Sequence, residues 1–113
     1  MPKHNVKITL QQILDSAREA YGIIKGQERV VLDANRILAL ALVRLLEIIG
    51  EAASRVPNEE RTNYSSIPWT ELIALRNRLI HAYDRIDLDI VWQIATQDLP
   101  ELIRSLEQLP ELS

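Results

Sequence analysis

Leu10, Ile13, Leu14, Ala17, Tyr21 and Ile24 recur at intervals of three and four residues, the spacing of one face of an amphipathic helix. Thr9 with Gln12 three residues on reads as a capping box, and Gly26 as a stop, so a helix is expected over residues 9–25. From about Glu28 to Arg55 the chain has no proline, and Gly50 is the only internal breaker. A continuous helix of that span would be about 42 Å long at ~1.5 Å per residue. A domain of this size has a radius of gyration near 13 Å, so such a helix should project beyond the domain or lie along a partner. Between Ile37 and Ile49, eleven of thirteen positions are apolar. A helix apolar nearly all round must be covered on every side, which leads us to expect a homodimer interface here. The plainer alternative is a central core helix in a monomer.

Pro57 should end this element, leaving residues 58–66 as a polar connection, and Pro68 suits the start of a third helix, where its missing N–H costs nothing. Trp69, Leu72, Ile73, Arg76, Ile80 and Tyr83 then share one stripe, with Arg76 a cation on an otherwise apolar face. Asp87 is placed to cap a fourth helix carrying Ile90, Val91, Ile94 and Ala95. Pro100 should break it, with Asp98 and Glu101 forming a second capping box before a terminal helix to about Leu109. The pattern predicts an all-α, up-and-down bundle of four to five helices with one long helix, in a single domain over residues 1–113.

Composition agrees with this. Apolar residues make up 47 % of the chain, enough for a core, yet aromatics reach only 4 % and Phe is absent. Leu, Ile and Ala favour helix packing over strands. There is no cysteine, which excludes disulfides, thiol nucleophiles and thiolate metal sites. The N-terminus lacks the apolar stretch of a signal peptide, and residues 37–49 are too short to span a bilayer. A cytoplasmic protein with no membrane association is expected. The formal charge of −3 argues against broad electrostatic binding of nucleic acid, and no DNA binding is expected. It leaves room for a local cationic pocket.

Such a pocket would lie on Leu75-Arg76-Asn77-Arg78-Leu79-Ile80-His81-Ala82-Tyr83. On a regular helix His81 is offset from Arg76 by about 140°, so the two meet only if the helix loosens after Ile80 or if two copies face each other across a dimer. Breaking a phosphodiester without metal needs a proton acceptor, a proton donor and positive charge on the phosphorus centre. Histidine suits the proton work, with an unperturbed pKa near ~6.5. Arginine suits the phosphate, since its planar fork stays charged and donates two hydrogen bonds.

The segment Trp69-Thr-Glu-Leu-Ile-Ala-Leu-Arg-Asn-Arg-Leu-Ile-His-Ala-Tyr83, followed by Ile86-Asp-Leu-Asp-Ile-Val-Trp92, resembles the HepT toxin branch of the HEPN superfamily. The residues Leu46-Glu-Ile-Ile-Gly-Glu-Ala-Ala53 and Asp98-Leu-Pro-Glu101 resemble it too, and the likeness covers the chain from about Ile13 onward. The resemblance implies a HEPN-like bundle and a toxin of a toxin–antitoxin pair, a metal-independent ribonuclease needing no cofactor. Its substrate would be RNA, with tRNA and mRNA both candidates. By the motif R-x-x-x-x-H-x-Y, Arg76 and His81 match the catalytic pair and Asn77 the supporting polar position. Tyr83 matches the tyrosine that a minimal nucleotidyltransferase antitoxin modifies with AMP, and homodimers of the family place two motifs in one cleft. Asp84 departs from the aromatic often found after the tyrosine.

Each residue also has a structural reading. Arg76 could pair with Glu47 in a buried bridge, His81 could satisfy helix-end carbonyls, and Tyr83 could be core. Arg44 and Glu47 read as a structural ion pair. Arg78 and Arg85 could touch RNA or simply be solvated on a helix face. Asp84, Asp87 and Asp89 resemble a carboxylate cluster, but two histidines in the whole chain make a metal site improbable. A second functional reading is a non-catalytic dimeric HEPN module that binds nucleotide and docks a nucleotidyltransferase.

Overall fold

A computed structural model describes residues 5–81 and 85–112, with Ile80 and His81 described by their backbone alone. Among the described residues the chain is all-α apart from one pair of two-residue strands. Helix α1 runs Val6–Ile24, starting earlier than the Thr9 capping box predicts. Asn5 is the cap instead, its side-chain oxygen accepting from the Ile8 N–H at 3.2 Å. Asn is among the strongest N-cap residues, and Thr9 is buried inside the helix. Gly26 does stop this helix: it takes φ +78, open to glycine without steric cost.

The expected 28–55 helix is divided. A single turn, α2 (Val31–Ala34), is followed by Asn35 in extended conformation, and α3 begins afresh at Arg36–Ser54. The Asn35 side chain accepts from the Leu38 N–H at 3.0 Å, so the break is itself a cap. Asparagine competes with the helix by bonding nearby backbone groups, a signal that the absence of proline and glycine conceals. At 19 residues α3 spans about 28 Å, inside a molecule measuring 44 × 31 × 21 Å. The continuous helix of about 42 Å is not formed among the described residues.

After α3 come α4 (Asn58–Arg61) and a 3₁₀ turn (Thr62–Tyr64), held to the end of α3 by Arg61, which donates to the Ser54 carbonyl at 3.4 Å and to the Val56 carbonyl just beyond the helix at 2.8 Å. The Tyr64 phenol is pushed above its ordinary pKa, chiefly by its hydrogen bond to Glu111 and then by desolvation. The Tyr64 carbonyl accepts from the Trp69 indole N–H at 3.0 Å, so the buried ring keeps its polar atom satisfied. Pro68 precedes α5 (Trp69–Ile73), as expected of the third segment's start. This segment is not one helix. It resets at Ala74, continues as α6 (Leu75–Leu79), and then leaves helical geometry. Strand β1 (Ile80–His81) pairs antiparallel with β2 (Arg85–Ile86), Ile80 opposite Ile86 and His81 opposite Arg85.

Asp87 caps α7 (Leu88–Gln93) as predicted, accepting from the Asp89 and Ile90 N–H groups. The break expected at Pro100 takes a different form. Residues Ile94–Asp98 form a π turn that runs directly into α8 (Leu99–Glu107). A proline in a continuing helix withholds an N–H from the carbonyl four residues back, and a π turn is one local adjustment to such a defect. Asp98 stays helical and makes no capping bond, so the second capping box does not form.

The core is one cluster, with Leu10, Ile13, Leu14, Leu42, Leu46, Ile49 and Leu106 fully buried, and α1 packs against both α3 and α8. Helix α3 buries Ala39, Leu42, Val43, Leu46, Ile49, Gly50 and Ala53 on one side. Its other side is bare toward the start, Ile37 being 82 % and Leu40 52 % exposed. At Gly50, a Cβ would sit 3.0 Å from the Leu72 carbonyl oxygen and 3.5 Å from the Leu75 Cβ. The α5–α6 segment therefore rests closely on α3, where a side chain would press on the Leu72 carbonyl and require it to give. Gly50→Ala should destabilise the protein by about 1–2 kcal/mol: overpacking costs ~1–3 kcal/mol and the gain in helix propensity returns up to ~1 kcal/mol. Urea unfolding of the two proteins checks this, with Gly22→Ala as the control, since nothing lies within 4 Å of a Cβ there.

Candidate active site

Leu75 and Leu79, four residues apart, are both buried and anchor α6 to the core. The same turn leaves Arg76 and Asn77 exposed. Among the described residues Arg76 has neither a hydrogen bond nor an ion pair, and the buried bridge to Glu47 is not formed. Glu47 approaches Arg44 at 4.0 Å, and Arg44 lies closer to Glu51, at 3.2 Å. That group is exposed, so each pair contributes little to stability.

The end of α6 is fixed by two bonds from one residue. The Asp87 N–H donates to the Leu79 carbonyl at 2.9 Å, extending the β1–β2 ladder back to the last residue of the helix. The Asp87 side chain meanwhile caps α7. His81 thus sits on a strand and not on the helix that carries Arg76, so the 140° offset of a continuous helix does not apply. Tyr83 and Asp84 lie outside the described residues.

Arg78 donates to Asp98 at 3.4 Å, tying α6 to the π turn. Arg29, on the turn before α2, reaches Asp33 at 2.7 Å and Asp89 at 2.9 Å, bracing the first turn of α7. Partial burial works against the Arg29 charge, but the hydrogen bond to Asp89 and the charges of both carboxylates outweigh it and hold its pKa above the ordinary value. Asp87 and Asp89 are therefore occupied by a cap and an ion pair. No group of three or more histidine, cysteine or acidic side chains suited to a metal occurs among the described residues. Asp98 as a partner for Arg78, and Gly50 as the rest for this segment, were not foreseen. Neither spacing nor composition joins residues on different elements.

A groove of about 310 Å³ lies between α5–α6 and the π turn with α8. Leu72, Leu75, Ile94, Leu99 and Leu102 line it, and Glu71, Asp98 and Glu101 stand at it against Arg78 alone. Arg76 and Asn77 take no part. Its acidic lining repels phosphate, whereas Arg76 and Arg85 are exposed outside it. No helix among the described residues is long and apolar enough to cross a membrane.

The sequence profile described as "Ribonuclease HepT-like" matches residues 13–109. The chain belongs to the HepT-like family. It is 36 % identical over 107 residues to "Putative RNase MJ1380" of Methanocaldococcus jannaschii, covering 95 % of this chain and 98 % of that protein. It is 41 % identical over 69 residues to "Probable ribonuclease HepT" of Thermococcus cleftensis, covering 61 % and 63 %. No solved structure matches. The family match takes in α6, the hairpin and α7 entire, so the Arg76–His81 spacing lies within it.

Replacing Asp87 with Ala removes the cap and should cost about 1 kcal/mol, whereas Asp87→Asn, still a good cap, should cost much less. Arg78→Ala breaks an exposed pair and should change stability by less than about 1 kcal/mol. Chemical denaturation of the three variants gives the order.

Proposed function

We propose that the chain is a metal-independent endoribonuclease, the toxin of a toxin–antitoxin pair, acting in the cytoplasm as a homodimer of one domain spanning residues 1–113. Arg76 and His81 are the reacting groups, Asn77 supports them, and no cofactor is required. The observation that carries this reading is an exposed guanidinium with no partner among the described residues, on a helix that stops at Leu79 so that His81 leaves on a strand. Membership of the HepT-like family, with relatives named as ribonucleases, supports it.

In the cleavage, the ribose 2′-oxygen bonds to the adjacent phosphorus while the bond from phosphorus to the 5′-oxygen breaks. One imidazole takes the 2′-hydroxyl proton, and the imidazolium of a second copy gives a proton to the departing 5′-oxygen. Arg76 donates two hydrogen bonds to the phosphorus oxygens as their charge grows. The second histidine requires a dimer, and the bare apolar side of α3 around Ile37 and Leu40 supports one. Silencing follows if a minimal nucleotidyltransferase partner transfers AMP to Tyr83. The phenol oxygen bonds to the α-phosphorus of ATP, pyrophosphate leaves, and the phenol proton passes to a base. The new phosphate competes for the guanidinium that RNA would use.

The purified chain should cut single-stranded RNA in EDTA, and His81→Ala or Arg76→Ala should each lower kcat by about 10²–10⁴. Intact RNA after incubation with a chain whose mass shows no added AMP would overturn the reading. In the same samples, light scattering should give two chains per particle for the wild type and one for Ile37→Glu/Leu40→Glu.

A further inference from the structure

We infer that Arg85 is a second phosphate-binding arginine of this site, holding the RNA backbone beside His81. This rests on the reading of Arg76 and His81 as the cleaving pair. From sequence, Arg85 is equally at home as a solvated residue on a helix face. The structure removes that option, because Arg85 is on no helix: it opens β2 and is the cross-strand partner of His81. Directly opposed residues in an antiparallel pair have Cα atoms about 4.5–5.5 Å apart. A phosphodiester presented to His81 therefore arrives within reach of the Arg85 guanidinium.

The surrounding charges favour the same conclusion. Arg18, Arg29, Arg44 and Arg78 are each matched to a carboxylate. Arg76 and Arg85 are both exposed and neither has a hydrogen bond or ion pair among the described residues; Arg36, Arg55 and Arg104 are likewise exposed and unpaired there, but none of them is on α6 or the two strands. Arg76 and Arg85 flank the hairpin from its two sides, Arg76 on the helix entering it and Arg85 on the strand leaving it. Asp87 and Asp89, the acids that follow Arg85 in sequence, are committed to the α7 cap and to Arg29, and Asp84 lies outside the described residues. A chain of formal charge −3 attracts RNA only where its cations are left unneutralised, and this end of α6 is such a place. The backbone geometry also makes Arg85 insensitive to helix fraying, since the ladder fixes its Cα relative to that of His81.

The experiment compares wild type, Arg85→Gln, Arg85→Lys and Arg55→Gln, the last an exposed arginine after α3 with no part in the hairpin. Two readouts are taken across a salt series. One is kcat and KM on single-stranded RNA. The other is the affinity for the same sequence carrying 2′-O-methyl groups, which needs no cleavage. Arg85→Gln should raise KM and weaken analogue binding by about tenfold. It should also make the slope of log affinity against log salt shallower by about 0.7, the loss of one phosphate contact on a single strand. Arg85→Lys should restore the slope, because the charge returns, and recover the affinity only in part, because the planar fork does not. Arg55→Gln should match wild type. Unchanged slope and affinity in Arg85→Gln, or a wild type that does not bind the analogue, would overturn the inference. A wild type that binds the analogue but cuts no RNA would sink the ribonuclease reading while leaving Arg85 tested by affinity.

Discussion

Asp87 joins three elements through two groups of one residue. Its N–H closes the ladder onto Leu79, the last residue of α6, and its carboxylate satisfies the open N–H groups of α7. Each bond alone is modest, a helix cap being worth about 1 kcal/mol. Their value here is geometric. A helix of five residues has little stability of its own, and the backbone at its end has carbonyls needing partners. Supplying one of them from the residue that starts the next helix fixes where α6 ends and ties its last residue to the start of α7. Arg76, His81 and Arg85 all take their positions from that closure.

The closure needs a floor, and α3 provides it. Gly50 carries no side chain where the Leu72 carbonyl passes, and Ala52 and Ala53 keep the neighbouring turn small. A glycine within a helix is a cost in propensity, offset here by the close approach of α5 and α6, which a Cβ would crowd. Arg78 to Asp98 on one side and Arg29 to Asp89 on the other add exposed ion pairs. Such pairs contribute little energy. They favour one orientation of α6 and α7 among several that the apolar contacts alone would accept.

Much of this was legible in the chain itself. The helical class, the stop at Gly26, the start after Pro68 and the Asp87 cap follow from local spacing and from residues whose preferences act within one turn. The errors share a physical origin. Asn5 and Asn35 won helix starts that Thr9 and an unbroken 28–55 pattern seemed to own, because an Asx side chain can cap wherever the chain turns extended before it. The third segment shows one stripe through Tyr83 in sequence, and apolar periodicity does not record that the Leu79 carbonyl takes its partner from Asp87, eight residues on. Asp98 was placed in a capping box by spacing, whereas Pro100 induced a π turn and Arg78 took the carboxylate. The Arg76–His81 pair was legible as a motif, and its displacement onto helix and strand was not.

The break after Leu79 also explains why short elements suit this site better than the long helix the pattern suggests. Two side chains five apart on one helix are held about 140° from each other, so Arg76 and His81 would not share a face of a continuous helix. Ending the helix between them exchanges a few helical hydrogen bonds for strand bonds of the same kind, so the backbone loses little. What changes is direction. A ladder alternates its residues about the strand, and opposite His81 it sets a residue six positions after the helix end. The arrangement thus brings cations distant in sequence to one edge of a protein that is acidic as a whole. Arg18, Arg29, Arg44 and Arg78 are neutralised by nearby carboxylates, whereas Arg76 and Arg85, like Arg36, Arg55 and Arg104, have no such partner among the described residues, and in an acidic chain it is unneutralised cations of this kind that attract a polyanion.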